Sequence, residues 1–222
     1  MASAELGKKL RILIIPLFVT SHIGPHTDLA VRLAAARGTV EPTLAVTPAN
    51  VSVVRSTLQR HGASAATSAI KIATYPFPEV DGLPLGVENL SAAGAAGWRI
   101  FTRPAQEALI RELPPDAVLT DVHFFRNSVI AGDLGVPCIA FSVIDTFSNL
   151  AMSHLGGKVD CDSGCKEVIV PRFPGPEVRI PRTKLPEFLR VQEEHDRFNP
   201  RLAGIRRCFG AFNTFLDMER QY

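Results

Sequence analysis

Along the chain, apolar runs of strand length alternate with segments whose apolar residues recur every three or four positions. Leu10 to Phe18 reads as a first buried strand. Helical spacing follows from near His26 through Leu29, Ala30, Leu33 and Ala34 to Arg37, with Gly38 as its stop. Thr43 to Thr47 is a second strand, and Pro48-Ala49-Asn50 opens a helix that runs through Val54 and Leu58 to His61-Gly62. Ile70 to Tyr75 is a third strand, closed by Pro76 and Pro78. Pro104 to Leu113 then reads as helix, Val118 to Thr120 as strand, Asn127 to Leu134 as helix, Pro137 to Ser142 as strand and Thr146 to His154 as helix. This alternation predicts an α/β fold, a doubly wound parallel sheet with helices on both faces.

Two stretches break the rhythm. Ser91 to Gly97 is a run of small residues with no period, and 155–186 is rich in Gly, Pro and charge, which reads as a surface excursion carrying one short strand, Val168 to Val170. Leu185 to Arg207 is expected to be largely helical, and Cys208 to Asn213 a last strand. Residues 1–222 are read as one domain, long enough to bury a substantial core.

Composition narrows the function classes. Lys and Arg number 24 against 22 Asp and Glu, a formal charge of +2 that gives no footprint for nucleic acid or a membrane surface. Lys8-Lys9 before Leu10 to Val19 imitates a secretory signal, but no small-x-small cleavage site follows and the run is too short to span a bilayer. The expected location is cytoplasmic, with no membrane span. Cys138, Cys161, Cys165 and Cys208 show no disulfide framework, and Cys161-x3-Cys165 lacks a second close ligand pair, so no metal is expected there.

The candidate chemistry lies at the ends of two strands. Thr20-Ser21-His22 follows the first, and Asp121 follows Val118 to Thr120. In an open parallel sheet the strand C-termini share one edge, where ligands bind, so a base and its orienting carboxylate can meet there. Imidazole is suited to taking a proton from a hydroxyl near neutral pH, and a carboxylate fixes its tautomer. Spacing alone leaves open that His22 merely caps the helix beginning at Pro25 and that Asp121 is an ordinary loop acid. His22 and His26 are four apart, but Pro25 between them argues against a shared helical metal face. The G-x-G-x-x-G turn, the Walker A sequence and the G-x-S-x-G elbow are all missing, which removes support for dehydrogenase, P-loop NTPase and hydrolase readings.

The stretch Ser21-His22-Ile23-Gly24-Pro25 through Thr27-Asp28-Leu29-Ala30 resembles the opening of plant family-1 UDP-glycosyltransferases. So do Thr47-Pro48-Ala49-Asn50, Gly82-Leu83-Pro84-Leu85-Gly86-Val87-Glu88-Asn89, Pro115 to Asp121, Leu134-Gly135-Val136-Pro137 and Asn213 to Glu219, in the family's order. The resemblance implies the N-terminal, acceptor-binding half of a GT-B enzyme built from two Rossmann-like halves. It implies His22 as the base that deprotonates an acceptor hydroxyl and Asp121 as its orienting partner, with inversion at the sugar carbon as UDP leaves. Phe18, Leu85, Phe124, Phe125 and Phe147 are the residues expected to wall an apolar acceptor pocket. By the same likeness Ser21 and Gly24 lie on the donor side. The implied co-substrate is a UDP-sugar, glucose being the expected sugar, with no cofactor and no metal. The implied acceptor is a small lipophilic molecule such as a flavonoid or terpenoid.

Several positions depart from the family's pattern. Ser21 stands where glycine is usual, His26 replaces an apolar residue, and the segment between Asn89 and Pro114 is shorter by about three helical turns, each ~3.6 residues. The family's tryptophan-rich donor box is not found in these 222 residues, whose one tryptophan is Trp98. The expectation is therefore an acceptor half that does not turn over by itself and meets a UDP-sugar only when a donor domain is supplied. The alternative is a non-catalytic small-molecule-binding half-protein or truncated gene product.

Overall fold

The computed structural model describes residues 9–37, 39–79, 86–89, 98–155, 166–191, 193, 196 and 207–214. A six-stranded, all-parallel sheet organises them. It is formed by β1 (Leu10–Ile15), β2 (Val40–Val46), β3 (Lys71–Thr74), β4 (Ala117–Asp121), β5 (Cys138–Ser142) and, after a small separate ladder, β8 (Phe209–Phe212), in spatial order β3-β2-β1-β4-β5-β8. The helices are α1 (Thr20–Arg37), α2 (Val51–Arg60), α3 (Ala65–Ala69), α4 (Trp98–Glu112), α5 (Asn127–Asp133) and α6 (Thr146–Leu155). The expected doubly wound parallel sheet is thus the fold observed.

Strand β1 shows why. A central parallel strand is covered on both faces and so reads as a near-continuous apolar run, here Ile12 to Ile15 after the exposed Leu10 and Arg11. Successive side chains point to opposite faces. Leu13 and Ile15 enter one core cluster with Tyr75, Ile110, Val118 and Phe124, while Ile12 and Ile14 enter another with Ile23, Ala30, Leu44 and Val54. The strand order reverses between β1 and β4, whose register pairs Ile15 with Thr120. The C-terminal ends of these neighbours therefore form the switch point at which open α/β sheets bind ligands.

Helix α1 corrects the sequence reading. It begins at Thr20, six residues before His26, and takes Pro25 into its interior. The expected strand stops at Ile15, and Pro16 to Val19 form an irregular connection in which Leu17 and Phe18 are nevertheless buried. A proline costs the helix one N–H bond. Just past it, side chains bond back to main-chain carbonyls one turn earlier: His26 Nδ1 donates to the His22 oxygen at 2.8 Å, and Thr27 Oγ1 to that of Ile23 at 2.8 Å. His22 and His26 consequently sit one turn apart on one helix, contrary to the expectation drawn from Pro25.

Other boundaries shift by a few residues. Helix α3 was not anticipated; Ser64 caps it by accepting from the Thr67 N–H. The excursion carries a two-stranded antiparallel ladder, β6 (Glu167–Ile169) with β7 (Arg179–Pro181), where one short strand was expected. Leu185 to Val191 is not α-helical. Proline at 186 introduces a 3₁₀ turn, Glu187–Leu189. Residues 192–206 lie largely outside those described, as do Gly38, Leu85, the Ser91–Gly97 stretch, Cys161 and Cys165. Among the described residues no helix is long and apolar enough to cross a membrane.

Candidate active site at the sheet switch point

Asp121 is the last residue of β4, wholly buried, and its carboxylate turns back over the 3₁₀ turn Val122–Phe124 to accept the His123 N–H at 2.9 Å. His22, in the first turn of α1, reaches it from the neighbouring strand: Nδ1 lies 2.7 Å from Oδ2. The two residues named from the sequence are thus brought together by the β1–β4 pairing. His22 keeps 16% of its side-chain surface exposed and Asp121 none, so the imidazole edge is open while its partner is sealed.

Two further imidazoles share the carboxylate. His123 Nδ1 lies 2.6 Å from Oδ1, and its ring stands edge-on to that of His22 with centroids 5.2 Å apart. His26 Nε2 is 3.9 Å from Oδ2, and its ring packs edge-on against Phe141 at 4.8 Å. Sequence reasoning missed both as site residues. The signal for His26 was its i+4 spacing from His22, masked by Pro25. The signal for His123 was an Asp-x-His turn, in which a carboxylate that accepts the i+2 N–H also meets the i+2 side chain.

Electrostatics follow from this arrangement. Burial pushes the Asp121 carboxyl up, but hydrogen bonds from His123 and His22, with a smaller electrostatic attraction to His123, outweigh it and hold the group far below the usual carboxylate range. Asp121 is therefore ionised at neutral pH. For His26 the balance is opposite: desolvation dominates over attraction to Asp121 and lowers its pKa, so the buried ring is neutral. Its Nδ1–H is committed to the His22 carbonyl, which leaves Nε2 as a lone pair.

Behind the site a buried polar chain braces β4. Asn127 Nδ2 donates to Thr120 Oγ1 at 3.0 Å and to Gln106 Oε1 at 3.3 Å, and Gln106 Nε2 donates to the Tyr75 hydroxyl at 3.3 Å. Burial raises the Tyr75 pKa, so this phenol stays protonated. On the neighbouring edge Glu88 Oε2 accepts the Ala49 N–H at 2.7 Å, and Asn50 Nδ2 donates to the Glu88 carbonyl at 2.9 Å. Two motifs quoted above, Thr47-Pro48-Ala49-Asn50 and Gly86-Val87-Glu88-Asn89, are thereby pinned to each other.

The expected acceptor wall fares unevenly. Phe18 and Phe124 are core residues, 1% and 5% exposed, with Phe18 edge-on to Phe77 at 5.0 Å. Both rings sit where the chain turns inward after its strand, which is why sequence placed them near the edge. Phe125 is half-buried under the Arg126 guanidinium. Phe147 lines a cavity of about 290 Å³ with Ile144, Ala151, Met152, Ile180 and Leu189, which no residue of the histidine cluster touches. Ser21 is exposed beside His22, and Gly24 is half-buried with open space where a Cβ would stand.

The chain matches no protein-family profile. It is 28% identical to UDP-glucosyl transferase 73DL1 of Saponaria officinalis over 96% of its own length and 45% of that protein's. It is 28% identical to solanidine UDP-glucose glucosyltransferase 1 of Solanum tuberosum over 100% of its length and 48% of that protein's. Among solved structures, Glycyrrhiza uralensis UGT73P12 complexed with glycyrrhetinic acid 3-O-monoglucuronide superposes with a TM-score of 0.78 at 25% identity, covering 96% of this chain and 45% of that one. The chain spans about half the length of the curated relatives it matches. In sequence and in its parallel α/β fold, this chain is similar to the N-terminal half of plant UDP-glycosyltransferases of the GT-B type.

Proposed function

We propose that these residues form the acceptor-binding half of a UDP-sugar-dependent glycosyltransferase for small lipophilic molecules, with His22 as general base and Asp121 as its orienting partner. The observation that carries this reading is the 2.7 Å contact between His22 Nδ1 and the wholly buried Asp121 carboxylate, whose pKa is held low. With Nδ1–H donated to Asp121, the free Nε2 of His22 holds the lone pair that accepts a hydroxyl proton. The acceptor oxygen then attacks the anomeric carbon of the sugar, the bond to UDP breaks, and configuration inverts. Asp121 stabilises the imidazolium formed, as in other His/Asp pairs. The similarity to a glucosyltransferase named for solanidine, and to a structure complexed with glycyrrhetinic acid 3-O-monoglucuronide, supports a small lipophilic acceptor. UDP-glucose is the donor this reading expects.

Stabilising the departing UDP needs groups aimed at the charge it develops, and these 222 residues hold no tryptophan-rich donor box. The polypeptide by itself is expected to bind acceptor without turnover. Joined to the donor half of a relative, it is expected to transfer glucose, and His22→Ala is expected to lower kcat by about 10²–10⁴. Transfer that survives His22→Ala refutes the base. Acceptor binding with no transfer in any such chimera favours a binding protein instead.

A further inference from the structure

The Asp121 carboxylate is faced by more imidazole than a base and its orienting partner require. His22, Asp121 and His123 each offer a ligand atom, all within 4.8 Å of one another, on a buried anion with two partly open rings. A separate observation points at the same carboxylate. His26 Nε2 is wholly buried, finds no hydrogen-bond partner among the described residues, and lies 3.9 Å from Oδ2. Two electron-rich atoms so placed repel each other unless positive charge comes between them.

We propose that His22, Asp121 and His123 form a binding site for a divalent transition-metal ion of the zinc class, with the unpartnered His26 Nε2 facing the same carboxylate from the buried side. Imidazole and carboxylate ligands suit zinc, nickel, copper and cobalt, whereas magnesium and calcium prefer all-oxygen sites. With metal–ligand distances of about 2.0–2.2 Å, tetrahedral ligands stand roughly 3.3 Å apart. The present N···O spacings, 2.7 Å to Oδ2 and 2.6 Å to Oδ1, would open by roughly 0.6 Å, and the widest separation in the group, within 4.8 Å, would close toward the same value, given those ligand distances. The two partly exposed rings, His22 at 16% and His123 at 31% of side-chain surface, are the groups that would move.

Occupancy also blocks the proposed base. A metal ion takes the Nδ1 lone pair, so the ring proton moves through solvent from Nδ1 to Nε2. Nε2 then presents N–H to the acceptor hydroxyl and accepts no proton. This inhibitory consequence rests on the base role proposed above; the binding itself does not.

The test is a zinc titration of the purified, metal-free 222-residue chain by calorimetry, with imidazole ¹⁵N signals followed in parallel. One ion per chain is expected, with His22 and His123 signals moving and those of His61 and His154 unmoved. His123→Ala is expected to weaken binding about tenfold or more, the lower end of what disturbing a metal shell costs. His61→Ala, which alters only a surface pair with Asp28, leaves it unchanged. Millimolar zinc without saturable binding, affinity indifferent to His123→Ala, or movement of His61 and His154 instead overturns the site. In the chimera, zinc that binds but does not inhibit overturns the blocking step. Metal-free transfer that persists in His22→Ala refutes the base reading, and the zinc titration stands apart from it.

Discussion

Replacing His26 by methionine separates two costs that the buried ring carries. Its Nε2 is sealed without a hydrogen-bond partner, a cost of about 1–3 kcal/mol that the variant removes. The variant also loses the Nδ1–H bond to the His22 carbonyl, about 1 kcal/mol, and the edge-on contact with Phe141, about 0.5–1.5 kcal/mol. At pH 7.5 these nearly cancel, so stabilities are expected to agree within about 1 kcal/mol. Acid separates them. Burial lowers the His26 pKa in the folded chain, so below the ordinary imidazole value the unfolded state binds the extra proton. Stability therefore falls with pH by up to about 1.4 kcal/mol per unit, beginning near pH 6.5. Opposing this, Asp121 attracts the proton, while His22 repels it. Urea unfolding of both proteins at pH 7.5, 6.5 and 5.5 reads the difference directly. Wild type is expected to lose about 1 kcal/mol more than His26→Met between pH 7.5 and 5.5. Parallel pH profiles, or a steeper acid loss in the variant, refute a neutral buried His26.

Asp121→Asn is expected to destabilise the fold by about 3 kcal/mol at neutral pH, as when one partner of a buried pair is removed. Because the folded carboxyl is held low, Asp121's contribution is present above the ordinary carboxylate range and is lost only as pH falls below it, so denaturation midpoints of wild type and variant should converge in strong acid. Ile14→Ala, at a wholly buried site in the central strand, should cost about 2–5 kcal/mol by the same denaturation assay. Glu88→Ala frees the Ala49 N–H and should cost about 1–2 kcal/mol, whereas Glu88→Gln keeps an acceptor and should cost less. The Cys138 and Cys208 sulfurs lie 3.1 Å apart; that hydrogen bond and burial raise Cys138, while it lowers Cys208. Timed alkylation with peptide mapping should therefore label Cys208 before Cys138.

What the sequence determined by itself was the order of elements and the location of the chemistry. Apolar runs such as Ile12 to Ile15 are those of a strand buried on both faces, and the turn residues around them leave few ways to connect them. His22 and Asp121 were legible because residues following parallel strands share one edge of the sheet. The resemblance to plant glycosyltransferases rested on the same landmarks and is matched by the fold. What only the tertiary structure decided was who else shares the carboxylate. Pro25 reads locally as a helix boundary, yet carbonyl bonds from His26 and Thr27 support a helix through it, and this turns His26 toward Asp121. His123 joins because Asp121 turns back over its own 3₁₀ turn. Phe18 and Phe124 went inward for a related reason: an aromatic ring at a strand end packs wherever two elements leave room. Such choices depend on contacts between segments far apart in the chain, and no local pattern encodes them.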